Sequence, residues 1–217
     1  MATVARSKSK SQAQSVVIEN VSWQSYEKVL SAFVDSHAAH FYYNNGALEI
    51  MVLSLEHEII KEIIGTIIDE ISLVVDKDFV AAGSTTFRRK KKEKGFEPDK
   101  CYYFGEKIAL IRGKKRINLA VDPPPDLVIE IDITHSSMNR HEIFAALGVR
   151  EVWRHDGEKL QILRLDDEKY ESVDESVLLP GLKGDDISKL VKIGQRESRI
   201  EFIKKVREYG ANIDKRG

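Results

Sequence analysis

Two carboxylates lie close together in the most strand-like segment of the chain, residues 126–134 with the sequence DLVIEIDIT. Alternation along a strand puts Glu130 and Asp132 on one face, with Val128 and Thr134, and all of the leucine and isoleucine side chains on the other. So many aliphatic neighbours predict a central strand, where an uncompensated carboxylate must be protonated, paired or bound to a cation. An antiparallel strand with one face in water is the alternative interpretation.

A third carboxylate precedes a neighbouring predicted strand. It belongs to the tripeptide Glu97-Pro98-Asp99, and alternation places Asp99 on the same strand face as Cys101 and Tyr103. Carboxylate oxygens from two adjacent strands are the ligands that Mg²⁺ or Mn²⁺ prefers, and they leave positions for water and a phosphate oxygen. An aspartate that caps a turn also explains the tripeptide when it is considered alone.

Three more side chains could belong to the same site. Glu49 lies on a strand face that is otherwise apolar, which predicts a buried carboxylate. His57 begins a long predicted helix, where a histidine is more often exposed or capping than functional. Arg140 comes early in the helix after the carboxylate strand and could direct its cation back over the strand end, or it could simply be solvated.

The run Arg88-Arg89-Lys90-Lys91-Lys92-Glu93-Lys94 is the only dense basic stretch. It could bind phosphates from a loop, although such runs are more often only solvated.

Other kinds of chemistry lack their sequence signatures. Cys101 has no matching histidine of a known nucleophile pattern, and His135, His141 and His155 do not follow zinc-ligand spacing. Glycine-rich phosphate loops are missing from the sequence, which disfavours kinase, ATPase and Rossmann chemistry.

Periodicity predicts the elements that position these residues. Apolar spacing indicates helices over residues 25–40, 55–75 and 138–147, a short helix that ends near Gly194, and a terminal helix over 199–209. The helix over 55–75 should pack on the aliphatic side of strand 126–134, because it carries one stripe of seven isoleucines: Ile59, Ile60, Ile63, Ile64, Ile67, Ile68 and Ile71. Gly148 is the predicted C-cap of the helix over 138–147. The turn residues Asn44-Asn45-Gly46 predict a hairpin of strands 41–43 and 47–53. Further strands are predicted near 79–82, 84–87, 101–104, 126–134, 149–154, 159–165 and 170–173.

Composition indicates an ordinary globular protein. The chain has 217 residues, a net charge of -1, 42% hydrophobic and 32% charged residues. This balance gives no overall attraction to nucleic acid or to an anionic membrane, so a polyanion site must be local. Without an apolar leader or a long apolar run, and with one cysteine, we expect a cytoplasmic protein. We expect a disordered tail over 1–15, one domain over 16–195 and a C-terminal helix and tail over 196–217.

Five blocks of sequence, in this order, resemble the Uma2 family of the PD-(D/E)XK nuclease superfamily. They are Gly46-Ala47-Leu48-Glu49-Ile50-Met51, His57, Glu97-Pro98-Asp99 with Tyr102-Tyr103, residues 125–132, and Gly148-Val149-Arg150-Glu151-Val152-Trp153. The resemblance covers residues 20–195. It implies an α/β, restriction-endonuclease-like fold, in which helices flank a mixed central β-sheet, and metal-dependent hydrolysis of phosphodiester bonds.

The resemblance also assigns roles to residues. It implies that Asp99 and Glu130 hold Mg²⁺ or Mn²⁺, with Asp132 as a further ligand or an outer carboxylate. Arg140 stands where Uma2-like sequences have a lysine, and it would offset charge in the transition state. Glu49 and His57 match family positions that we expect at the rim of the same pocket.

The implied partner is nucleic acid, and DNA is the expected kind. Cleavage of both strands of a duplex would favour a homodimer. The rival hypothesis is a catalytically inactive member that binds nucleic acid or a protein partner through the same scaffold.

Overall fold

The computed structural model describes residues 14–33, 39–133 and 138–214. In these ranges the chain forms eleven strands and six α-helices. The strands are β1 (Gln14–Ile18), β2 (Ala39–Asn44), β3 (Ala47–Val52), β4 (Phe79–Ala81), β5 (Phe87–Arg89), β6 (Lys94–Phe96), β7 (Lys100–Phe104), β8 (Leu127–Ile131), β9 (Glu151–His155), β10 (Leu160–Asp166) and β11 (Lys169–Val173). The helices are α1 (Trp23–Ala32), α2 (Leu55–Val74), α3 (Lys107–Ile111), α4 (Arg140–Leu147), α5 (Gly184–Gly194) and α6 (Arg199–Asp214).

A six-stranded mixed sheet forms the centre of the molecule, with the order β11-β10-β9-β8-β7-β4. Strand β8 is interior: it pairs in parallel with β9 and antiparallel with β7. Leu127, Ile129 and Ile131 of β8 pack in one core with the isoleucines of α2. The predictions of an interior strand and of a long helix on its aliphatic face are confirmed, as is the α/β class with a mixed sheet.

Helix α2 is fixed by its cap and by its apolar stripe. The side chain of Ser54 accepts a hydrogen bond from the backbone N–H of His57, which caps the first turn. Six of the seven isoleucines predicted for the stripe are buried, whereas Ile59 is 44% exposed and lies at its margin. Helices α5 and α6 pack against α2, so Phe202 and Val206 of α6 belong to the same core.

A five-stranded sheet, ordered β1-β3-β2-β6-β5, carries the predicted hairpin. Strands β2 and β3 are joined by Asn45 (φ +47°) and Gly46 (φ +93°), and this pair of left-handed residues suits a tight hairpin turn. Strand β1 was not predicted. It begins at Gln14, inside the segment expected to be disordered, because the edge of β3 offers backbone partners to it. Residues 1–13 lie outside the described ranges.

Several predicted elements have other bounds in the structure: α6 continues to Asp214 and β8 ends at Ile131, while two further elements are shifted in position. Helix α1 spans Trp23–Ala32 rather than 25–40, because Ser22 caps its start and β2 begins at Ala39 to pair with Val52. Residues 34–38 are outside the described ranges. The strand predicted at 84–87 begins at Phe87 and continues into the basic run, where it pairs with β6.

The two sheets enclose a second core. Tyr42 and Met51 from the hairpin meet Cys101 and Val128 from the central sheet, and Phe144 of α4 packs on the same cluster. Gly148 (φ +82°) ends α4 in the left-handed conformation, as predicted for a C-cap. The polar face of β8 therefore looks toward the hairpin and α4, and the candidate site lies between them. Within the described ranges, no helix combines the length and hydropathy that a membrane crossing requires.

Candidate active site

Asp99 is the most deeply buried of the three predicted metal-binding carboxylates, with 1% of its surface exposed. Its Oδ2 accepts a 2.6 Å hydrogen bond from the backbone N–H of Ile131 on β8. Two imidazoles flank it: Nδ1 of His40 is 3.0 Å from Oδ1, and Nε2 of His57 is 2.9 Å from Oδ2. Burial raises the pKa of Asp99, but the contacts with both histidines outweigh burial and hold it well below its usual range.

Glu130 projects from β8 toward the hairpin. It accepts a 2.9 Å hydrogen bond from the hydroxyl of Tyr42 and a 3.1 Å bond from Arg140. Burial raises the pKa of Glu130, and the negative charge of Asp99 raises it further, so that it stands well above the usual range despite Arg140. Two carboxylates with opposite pKa shifts therefore occupy one buried region.

Arg140 joins Glu130 to Glu49. Its Nε and one terminal nitrogen bind the two oxygens of Glu49 at 2.9 Å each, and its other terminal nitrogen binds Glu130. The guanidinium carbon also lies 4.0 Å from the ring centroid of Tyr42, which is a cation–π contact. Such a bidentate bridge requires the planar fork of an arginine, because a lysine ammonium is a point charge.

Asp132 lies just beyond the end of β8 and is held by a different cation. Two nitrogens of Arg154, on β9, bind Oδ2 of Asp132 at 2.6 and 3.0 Å. A cavity of about 300 Å³ is lined by Glu130 and Asp132 together with Arg140, His141 and Arg154. The structure thus brings Glu130 and Asp132 to one cavity, whereas Asp99 is not among the residues that line it.

Glu49 and His57 were expected at the rim of the pocket, and the structure places both deeper. Each is fully buried, at 0% exposure: Glu49 against Arg140 and His57 against Asp99. His57 is inside because the first turn of α2 lies beside Asp99, the residue before β7, which provides a polar partner.

Sequence reasoning missed His40 and Tyr42. The register of the hairpin pairs His40 with Met51 and Tyr42 with Glu49, so the three polar side chains share one face of β2 and β3. Alternation of polar residues opposite the predicted buried Glu49 was the signal that could have identified them.

Residues 23–188 match the family model Uma2, whose description is "Putative restriction endonuclease". The chain belongs to the Uma2 family. None of the curated proteins compared with it matches. A similar solved structure is a crystal structure of a "putative nuclease" from Anabaena variabilis, which is 15% identical, covers 78% of this chain and 90% of that one, and has a TM-score of 0.47.

Restriction-endonuclease-like enzymes generally use divalent metals. The side chains of this Uma2 protein show whether a divalent cation could be held here. Among the described residues, no three carboxylate, imidazole or thiol groups are arranged to hold an ion. Mg²⁺ needs no such cage, because it commonly uses one or two carboxylates, waters and substrate phosphates. In the described part of the chain, Oδ1 of Asp99 and the facing nitrogens of His40 and His57 lack well-aligned hydrogen bonds.

These observations fit a cation beside Asp99 and Glu130. The contact of Asp99 Oδ1 with His40 is close but poorly aligned for a hydrogen bond, and burial and the charge of Asp99 raise the pKa of Glu130. A positive charge between the two carboxylates would stabilise both of them in the ionised form. Asp132 fits less well as a ligand, because Arg154 already binds it.

Proposed function

We propose that this Uma2 protein is a divalent-metal-dependent endonuclease that hydrolyses phosphodiester bonds of nucleic acid, with Asp99 and Glu130 as metal ligands. The observation that carries the proposal is the pairing of two buried carboxylates with opposite pKa shifts beside a cavity. A bound divalent cation supplies charge neutralisation for a phosphate and lowers the pKa of a water.

The surroundings of Asp99 keep its carboxylate ionised. Its contact with the Ile131 N–H and its two imidazole neighbours stabilise the ionised form in a buried position. His40 and His57 are therefore positioning residues, because they act through Asp99.

Glu130 is oriented from two directions. The Tyr42 hydroxyl and the Arg140 guanidinium both bind Oε2, which restrains the carboxylate at the cavity wall. Its raised pKa means that the ionised form is incompletely compensated by the protein itself.

Arg140 contributes positive charge and geometry, not proton transfer. Its pKa stands well above the ordinary value: burial lowers it, and Tyr42, Glu49 and Glu130 raise it by more. A guanidinium in this state can stabilise negative charge on a phosphate but cannot act as a base.

We assign Asp132 an outer role in the proposal. Its contact with Arg154 fixes that guanidinium at the wall of the same cavity, where it adds a second positive charge near the substrate position. Asp132 then acts through Arg154 and not as a direct ligand.

The test is a cleavage assay with duplex DNA, single-stranded DNA and RNA, each with Mg²⁺ and with Mn²⁺. The wild type should cut at least one substrate, while Asp99→Asn and Glu130→Gln should lose nearly all activity. Asp185→Asn, which removes an exposed carboxylate on α5, is the matched control and should remain active. Equal activity of Asp99→Asn and wild type would contradict the proposed ligands.

A specific observation favours a second candidate function, a catalytically inactive member that binds nucleic acid or protein. Arg140 occupies both Glu49 and Glu130, at the position where the family resemblance implies a lysine. An inactive wild type that gains metal-dependent cleavage on Arg140→Lys would identify a naturally inactivated nuclease.

A further inference from the structure

The basic run of the sequence forms a defined structure, which we name the basic hairpin and which comprises residues 87–96. It consists of β5, a 3-10 turn over Lys90–Lys92, and β6. Glu93 has φ +47°, and its N–H donates to the carbonyl of Lys90 at 3.0 Å, which closes the turn. Phe87 and Phe96 stack beneath it, with ring centroids 5.0 Å apart, so the hairpin is anchored in the core.

The structure separates the cations of this hairpin into two groups. Lys94 is buried and donates to Asn44, Lys92 donates to the carbonyl of Ala146 at the end of α4, and Arg88 is 4.0 Å from Glu27. These three have partners within the protein.

The other three cations of the basic hairpin have no such partner in the part of the chain that the structure describes. Among the described residues, Arg89, Lys90 and Lys91 form no ion pair, and both lysines are exposed. The turn therefore presents three cations without ion-pair partners beside one exposed carboxylate, Glu93, although the chain as a whole carries a net charge of -1.

The basic hairpin is attached directly to the candidate active site. Strand β6 pairs with β2, so that Lys94 lies opposite Asn44 and Phe96 opposite Tyr42, whose hydroxyl binds Glu130. Asn44 is two residues beyond Tyr42, about 7 Å along the strand at 3.3–3.4 Å per residue. In the other direction, β6 continues through residue 97 to Asp99.

Helix α4 provides a second attachment. The side chain of Asn44 donates a 2.9 Å hydrogen bond to Glu142, and Lys92 binds the last turn of the helix that carries Arg140. Arg140 at the start of α4 lines the cavity, and Lys92 binds near the end of the same helix. An eight-residue helix is about 12 Å long at 1.5 Å per residue, which corresponds to about three to four phosphate spacings along one DNA strand.

We propose that Arg89, Lys90 and Lys91 bind the phosphodiester backbone of the nucleic acid substrate and guide it toward Asp99 and Glu130. The inference rests on the proposed function. Phosphate contacts of this kind supply affinity without reading sequence. A lipid surface suits the basic hairpin less well, because its two phenylalanines are buried and it presents no exposed apolar side chain.

The experiment measures binding of a labelled DNA duplex in EDTA, where cleavage does not interfere. Lys90→Gln/Lys91→Gln is compared with Lys204→Gln/Lys205→Gln, which removes the same charge from α6, across the central sheet, where the two side chains are 67% and 42% exposed. Loss of two phosphate contacts should reduce the slope of log K against log salt by about 1.8. Affinity at low salt should fall at least tenfold for the hairpin variant and less than twofold for the control.

Three results would overturn the inference: no binding by the wild type, equal losses in the two double variants, or equally strong hairpin-dependent binding to anionic lipid vesicles. Single-stranded DNA and RNA in parallel identify the kind of strand that is bound. If DNA binding depends on the basic hairpin but the wild type cleaves no substrate, this inference is supported and the proposed endonuclease activity is refuted. If the wild type cleaves nucleic acid and the Lys90→Gln/Lys91→Gln variant binds and cleaves equally well, the endonuclease is supported and this inference is refuted.

Discussion

Replacement of Arg140 by methionine should strongly destabilise the protein, because Glu49 would be left without its cation. The side chain of Glu49 is 0% exposed and that of Arg140 is 8% exposed. Loss of one partner from a buried ion pair costs about 3–5 kcal/mol, since the remaining charge is desolvated and uncompensated. In a chain of this length, that loss corresponds to a fall in Tm of roughly 6–20 °C.

The assay is urea unfolding at pH 7 without divalent metal, read as a change in midpoint at constant slope. Glu49→Gln/Arg140→Met should recover at least half of the lost stability, because Glu49 carries two of the three hydrogen bonds from Arg140 to carboxylates and the double variant removes its charge. Arg154→Met is the matched control: it breaks the pair with Asp132, in which the two side chains are 27% and 14% exposed, and it should cost about 1 kcal/mol. Equal losses for Arg140→Met and Arg154→Met, or a double variant as unstable as Arg140→Met, would refute the reasoning.

Three further predictions concern the same charges. Glu130→Gln should raise the free energy of unfolding at pH 7 without metal. The raised pKa of Glu130 means that the wild type is most stable at low pH and loses stability as pH rises through the folded pKa, whereas the neutral glutamine has no such loss. The advantage of the variant should vanish below about pH 4, near the pKa of the unfolded state. Mn²⁺ should raise the Tm of the wild type, by about 2.7 kcal/mol of stabilisation at 100 times Kd, and should not raise that of Glu130→Gln or Asp99→Asn. In cleavage assays Arg140→Ala should lower the rate by about 10²-fold, whereas Arg140→Lys should retain or increase it; an active enzyme indifferent to Arg140→Ala would assign the charge role elsewhere.

Regular elements with strong periodicity could be predicted from the sequence. The isoleucine stripe of α2 and the aliphatic face of β8 each contain enough information to determine which side is buried, and the structure packs these two faces together. The hairpin followed from its turn residues, which require left-handed backbone that Asn45 and Gly46 adopt at low cost.

Partners that come from distant parts of the chain could not be predicted. Asp132 shares a strand face with Glu130, but the parallel register of β8 and β9 brings Arg154 alongside, and that register is not evident in either segment. The contact of His40 with Asp99 likewise depends on how the two sheets face each other. Strand β1 has little apolar patterning of its own and forms because β3 supplies an edge.

The ends of elements were less predictable than their existence. Helix α1 stops at Ala32 although apolar spacing continues, since pairing of β2 with β3 determines where the chain must be extended. The basic run looked like a solvated loop, yet Phe87 and Phe96 on either side pair across β5 and β6 and hold it in a hairpin.

The most direct test of the central claim, that Asp99 and Glu130 hold a divalent cation, is the anomalous scattering of Mn²⁺ in a soaked crystal of the wild type. We expect a peak between these two carboxylates, and its loss in Glu130→Gln under the same soak. Absence of a peak there at saturating Mn²⁺, or a peak coordinated only by other residues, would contradict the proposed metal site.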